Sequence, residues 1–329
     1  MSDVLLRAYT PLLLWTGLGL VLFRFLPLAL PHLLGRGLYW VGIPVEIFAL
    51  ARQTDFSSLI WLAPLWTGIS LLIGMGLAFL SLQKLRSNSA EAGSLSHTGQ
   101  DATPQPLLVL YPNQPARQGS FVLCSMLGNT GFIGLAIATV LISDVHLGWA
   151  VFYAITQNLL GTYGLGVFLS SYFGRSPDTN HWWLQLRDVL SVPSLWAFIA
   201  GLLSRPVTLP LDLESNLKAA IWIVIPLAFL LTGMRLSQLQ GFKSLQSALM
   251  PALLKVWVLP LIVGLITTLT GLTGEPRLVL VLMSGMPTAF ATLILAEEYD
   301  LDRELASSSI ALSTILLLPL IPLWLTLFN

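Results

Sequence analysis

A chain of 329 residues with 55% hydrophobic and only 10% charged side chains has too little charge to solvate the outside of a soluble globule. Its 16 Lys and Arg balance 16 Asp and Glu, which leaves no basic field for nucleic acid. One cysteine, Cys124, excludes an intrachain disulfide framework and a cysteine-based zinc cluster, and the four histidines include no i, i+4 pair for a helical metal site. What remains is an all-α membrane protein surrounded by the lipid bilayer, with no cofactor or metal expected.

Crossing the hydrocarbon core takes roughly 20 mainly apolar residues. Such stretches are predicted near 4–26, 31–51, 57–82, 119–142 and 147–172, and again near 188–204, 217–236, 245–270, 276–297 and 304–328. The apolar N-terminus lacks a basic leading region and a small-residue cleavage site, so it reads as a retained first helix. Central prolines, Pro44 and Pro226, fall in the second and seventh stretches, and Pro193 breaks the short sixth. Residues 83–118 are rich in Ser, Asn, Gln, Gly and Pro (RSNSAEAGSLSHTGQDATPQP); they cannot bury enough apolar surface to order themselves and are expected to form a flexible cytoplasmic linker. The organisation expected is therefore 1–82 (spans one to three), the linker 83–118, 119–174 (spans four and five) and 175–329 (spans six to ten). With the N-terminus outside, ten basic residues fall in inner loops and five in outer ones, which predicts both termini outside the cell membrane.

A repeat runs through these spans. Trp40-Val41-Gly42-Ile43-Pro44 returns as Trp222-Ile223-Val224-Ile225-Pro226 at an offset of 182, and the same offset carries Pro11 to Pro193. Beyond the linker, Gly134-Leu135-Ala136 matches Gly285-Met286-Pro287 at an offset of 151, and the shortfall is about the length of an extra linker in the first half. Five spans are an odd number, so two such halves sit in opposite orientations. Inverted repeats mark secondary transporters, whose sites lie near the midplane where the repeats meet.

Two spans are interrupted in corresponding places, at Gly128-Asn129-Thr130-Gly131-Phe132-Ile133-Gly134-Leu135-Ala136 and at Ser284-Gly285-Met286-Pro287-Thr288. Glycine and proline weaken a helix, and backbone groups freed at mid-bilayer are tolerable only against protein or a polar cavity. Amides at a half-helix N-terminus suit a carboxylate, with Asn129 and Thr130 adding side-chain donors at the same depth. Two ionisable groups lie inside spans, Glu46 after Pro44 and Lys255 in the eighth. Such residues are functional candidates because their burial is costly: Glu46 for proton coupling, Lys255 for balancing substrate charge or pairing with Glu46. Gln157 and Asn158 are weaker candidates, and Glu297-Glu298-Tyr299-Asp300 reads as a solvated turn.

The strings GNTGFIGL and GMP, with the closing run LAEEYDLDRELASSSIALSTILLLPL, resemble the auxin efflux carrier family of plant and bacterial permeases. The resemblance extends to plant auxin carriers and to the bile-acid sodium symporter-like fold. It implies ten transmembrane helices as two inverted five-helix repeats, with broken helices four and nine crossing near the centre, and it leaves room for a homodimer. It also implies transport of a small organic anion such as a carboxylate or an auxin-like acid. Carried over, Asn129 and the Gly131–Gly134 segment line the first crossover, while Gly285, Met286 and Pro287 form the second. Ala136 stands where the family often has proline, so the first break is expected to rest on Gly131 and Gly134. A secondary transporter, not an enzyme, is the reading, since H-E-x-x-H, a nucleophile elbow and G-x-x-x-x-G-K-[ST] are all missing. A sodium-coupled bile-acid-type symporter and a membrane sensor of a small ligand stay open as alternatives.

Overall fold

The computed structural model describes residues 2–27, 29–53, 59–96, 114–174, 183, 187, 190, 191, 193–237 and 241–328, and these are helical almost throughout. In chain order the helices are α1 (Ser2–Leu22), α2 (Leu30–Gly37), α3 (Ile43–Gln53), α4 (Leu62–Ser96) and α5 (Pro115–Met126). They are followed by α6 (Leu135–Leu141), α7 (Asp144–Thr156), α8 (Val167–Gly174), α9 (Pro193–Leu203) and α10 (Leu211–Leu236). The last are α11 (Gly241–Leu253), α12 (Leu259–Leu269), α13 (Gly274–Ser284), α14 (Ala291–Glu298) and α15 (Arg303–Phe328). Single π-helical segments join α2 to α3, α7 to α8 and α11 to α12, so each of these pairs runs on as one rod.

Four stretches are long and apolar enough to cross a membrane, Leu62–Ser87, Asp212–Met234, Leu245–Leu269 and Arg303–Phe328. Thr10–Phe25, Thr130–Leu141 and Pro193–Leu203 are apolar but shorter. One cause is plain for α5, α6, α13 and α14: each is half of a rod interrupted by a break. The expected linker is shorter than its composition suggested. α4 continues past 82 to Ser96 and α5 starts at Pro115, because extending a nucleated helix costs little per residue; residues 97–113 lie outside the described ones.

Two close helix crossings tie the bundle together. α1 packs along α10, and α9 packs along α3. At the first, a methyl group on Gly19 would overlap the Leu230 carbonyl; at the second, a methyl group on Gly201 would stand 2.9 Å from the Phe48 carbonyl oxygen. Glycine is needed at both because the partner backbone leaves no space for Cβ, which is how helices gain contact where lipid supplies no hydrophobic drive. Gly201 less Gly19 is 182, and Leu230 less Phe48 is also 182, so the two crossings share the offset of the Trp40 and Trp222 strings.

The buried side chains form two clusters. One surrounds α7, α12, α13 and α15, with Tyr153, Val256, Leu280 and Trp324 at its centre; the other surrounds α5, α14 and α15, with Phe121, Leu127, Leu293 and Ile310. Of the two breaks, Leu127, Ala289 and Phe290 belong to the second cluster and Met286 to the first.

Candidate functional site

The rod of α5 and α6 opens at Leu127–Asn129, and the rod of α13 and α14 opens at Gly285–Phe290. There the two chains pass each other as a minimal antiparallel ladder. Gly128 bridges Thr288, the Asn129 N–H donates to the Pro287 carbonyl at 2.7 Å, and the Ala289 N–H donates to the Leu127 carbonyl at 2.9 Å. Backbone groups released by one break are thus satisfied by the other, which meets the demand for paired polar groups in an apolar medium. Further bonds hold the second segment. The Thr288 N–H donates to the Ser313 hydroxyl at 3.0 Å, and the Thr288 hydroxyl donates to the Cys124 carbonyl at 3.0 Å.

Helix restarts after the first break at Thr130. Asn129 caps it, its side-chain carbonyl accepting from the Phe132 N–H at 3.3 Å. Asparagine is among the preferred residues for that role because its short side chain reaches the free amides of the first turn.

Against the crossover lies a small cavity of about 30 Å³, room for a water-sized group. Gly128, Asn129, Thr130 and Gly131 form one wall, Ala289, Phe290 and Ala291 another, and Glu46 and Asn158 close it. Glu46 is 2% exposed with one carboxyl oxygen unpartnered, and the Thr130 hydroxyl, also buried, has no partner. Both half-helices begin at this cavity, so their N-terminal ends, which carry positive partial charge, border it. Gly35, Tyr39, Phe290 and Ile294 are shared with a larger vestibule of about 500 Å³, within the range of small-molecule sites, which is bordered by Arg36, Trp40, Glu298 and Tyr299.

The structure therefore gathers Asn129, Thr130, Gly131, Glu46 and Asn158 around one space. Other sequence candidates stand elsewhere. The first break is not at Gly131 and Gly134: both belong to the π-helical segment after it, and Gly134 lies against Met283 and Met286. The chain opens instead at Gly128, where it passes the second segment, and Asn129 then starts the new helix. The 151-residue match fails for the same reason. Gly134 lies after its break and Gly285 at the start of its own, whereas the residues that end the two helices, Met126 and Ser284, are 158 residues apart. Met286 is buried, and Pro287 contributes its carbonyl to the ladder. Gly285 abuts Pro260. Gln157 is buried with its amide nitrogen unpartnered, one residue before Asn158.

Lys255 makes no ion pair with Glu46; its amine donates to the Ser284 carbonyl on the side of α13. Tyr39, Phe290 and Ile294 were missed in the sequence. Phe290 was the most accessible of these, because it ends the break that Pro287 opens. The acidic cluster is a turn only in its second half: Glu297 and Glu298 end α14, Glu297 lying 3.3 Å from His32, while Tyr299 and Asp300 turn the chain, Asp300 87% exposed at its side chain.

The membrane transport protein family matches residues 108–325. An uncharacterized transporter of Methanocaldococcus jannaschii is 28% identical over 223 residues, covering 65% of this chain and 70% of that protein. Another from Methanothermobacter thermautotrophicus is 30% identical over 197 residues, covering 60% of this chain and 63% of its own length. The family match extends from the start of the first broken rod to the end of α15, so it takes in both halves of the crossover. The chain belongs to the auxin efflux carrier family of membrane transport proteins.

Proposed function

We propose that this chain is a secondary transporter that carries a small organic anion, of the carboxylate or auxin-like class, by alternating access between two inverted five-helix repeats. The observation that carries the reading is the crossover, where two broken rods satisfy each other's backbone and border one cavity with both half-helix N-termini. Such termini suit a carboxylate, and crossed broken helices at a repeat interface are where carriers bind solute. The duplicated contact of Gly19 with Leu230 and of Gly201 with Phe48 supports the repeat. With both termini outside, the vestibule beside Arg36 and Glu298 faces the cytoplasm. Glu46 repels an anion while ionised, so a proton on its carboxyl accompanies the substrate into the cavity.

A thermal-shift screen of the purified protein against monocarboxylates, dicarboxylates and indole acids tests this. For the anion that stabilises it, Asn129→Ala weakens binding by about 10- to 100-fold, the worth of a hydrogen bond to a charged group. Asn129→Asp keeps a good helix cap but places a negative charge beside the carboxylate, and its loss is larger. Unchanged affinity in both folded variants removes the site from the crossover.

A further inference from the structure

We propose that the ammonium group of Lys255 is a resident cation of the crossover, occupying the kind of place where a cation-coupled carrier binds sodium, so that this protein works without sodium. The inference rests on the reading of the crossover as the transport core.

Lys255 lies in the π-helical segment Leu254–Val258, at the middle of the rod formed by α11 and α12. It is 1% exposed, and its amine donates to the carbonyl of Ser284, the last residue of α13. The final carbonyls of a helix have no partner within it and carry negative partial charge, which falls off within the last turn. The end of the same side chain also presses on the first break: its Cε and Nζ lie 3.0 Å from the point a Cβ on Gly128 would occupy. The amine is therefore wedged between the end of one broken helix and the unwound segment of the other.

No carboxylate pairs with it among the described residues. Its charge is met by a backbone carbonyl at a half-helix C-terminus, and in carriers such carbonyls coordinate sodium. Oxygen ligands of this type suit hard cations in general. A covalently tethered ammonium supplies a positive charge at the same place. It ties α13 to the crossover, and a sodium gradient then has nothing to act on at this place.

The test needs no substrate. Thermal unfolding of the purified full-length protein is followed in sodium chloride and in choline chloride at equal ionic strength. The wild type shows the same midpoint in both salts. Lys255→Ala unfolds at a lower temperature in choline and recovers dose-dependently with sodium or methylammonium, by about 5 °C at saturating cation. Lys255→Met fills the space without the charge, is less stable than the wild type in every salt and is rescued by none.

Sodium-specific stabilisation of the wild type overturns the proposal, and so does a folded Lys255→Ala that responds to no cation. If Lys255→Ala does not fold, Lys255→Met decides: wild-type stability in that variant means the amine is dispensable and the assignment fails. Each of these failures leaves the anion-binding reading intact, because that reading stands on the Asn129 variants.

Discussion

The two breaks of the crossover meet each other but are finished in different ways. In the second, the Thr288 N–H and hydroxyl go to Ser313 and Cys124, and Lys255 covers the Ser284 carbonyl. In the first, Asn129 caps the new helix, while the Thr130 hydroxyl stays unpartnered at the cavity. The second break is clamped to three neighbouring helices; the first keeps unused polar capacity where a solute would sit. A buried hydroxyl without a partner costs stability, so its retention beside a cavity points to a partner that arrives with the ligand. One break holds the crossing, and on the proposed reading the other meets the solute.

The contrast is sharpest in a pair of like substitutions. Thr288→Val strands the Cys124 carbonyl in the core and costs about 1–3 kcal/mol, measured by thermal or denaturant unfolding. Thr130→Val removes a hydroxyl that bonds to nothing and leaves stability nearly unchanged, while affinity for the stabilising anion falls by about tenfold, the worth of one hydrogen bond. Equal loss of stability in both variants would erase the difference between the breaks.

A smaller effect is expected at Glu46. Glu46→Gln mimics the protonated carboxyl, so binding of the anion, followed by thermal shift across pH, becomes flat where the wild type varies. A variant that keeps the wild-type profile makes Glu46 a structural contact and removes the proton from the mechanism.

The smallest effect lies away from the crossover, at the end of the molecule where Glu275 begins α13. The Ser143 hydroxyl first, and the His146 ring 2.7 Å away second, hold the Glu275 carboxyl below the usual carboxylate range. Because its folded-state pKa is depressed, its stabilising contribution is present above the ordinary carboxylate range. It is lost as pH falls through the folded value. Glu275→Gln should therefore unfold slightly earlier than the wild type near neutral pH, and the gap should close in acid. A gap that widens in acid contradicts the assignment. The side chain is one-third exposed, so solvent screening keeps the difference small.

Much of this architecture is legible in the residues alone. Charge scarcity and apolar length indicate that the chain is helical and lipid-facing, because an apolar run of roughly 20 residues pairs its own backbone groups in hydrocarbon as a helix, whereas barrel strands are short and alternating. The 182-residue offset, read from Trp40 and Trp222, reappears in the contacts of Gly19 and Gly201, where small residues stand because a neighbouring backbone approaches closely. Asn129 and Glu46 stood out because a polar group in an apolar run has few reasons to be there, and both border the cavity.

Tertiary structure decided the rest. Glycine marks a weak point in a helix but does not say which of several glycines opens, and Gly128, Gly131 and Gly134 lie within two turns. The one that opens is the one met by a partner chain supplying hydrogen bonds, and that partner lies 160 residues away at Thr288. The same holds for Lys255. Its depth in the membrane follows from counting residues, but whether it faces Glu46 or a helix terminus depends on how its rod is turned against α13. That rotation is set by packing among helices distant in sequence, which periodicity within one helix cannot encode.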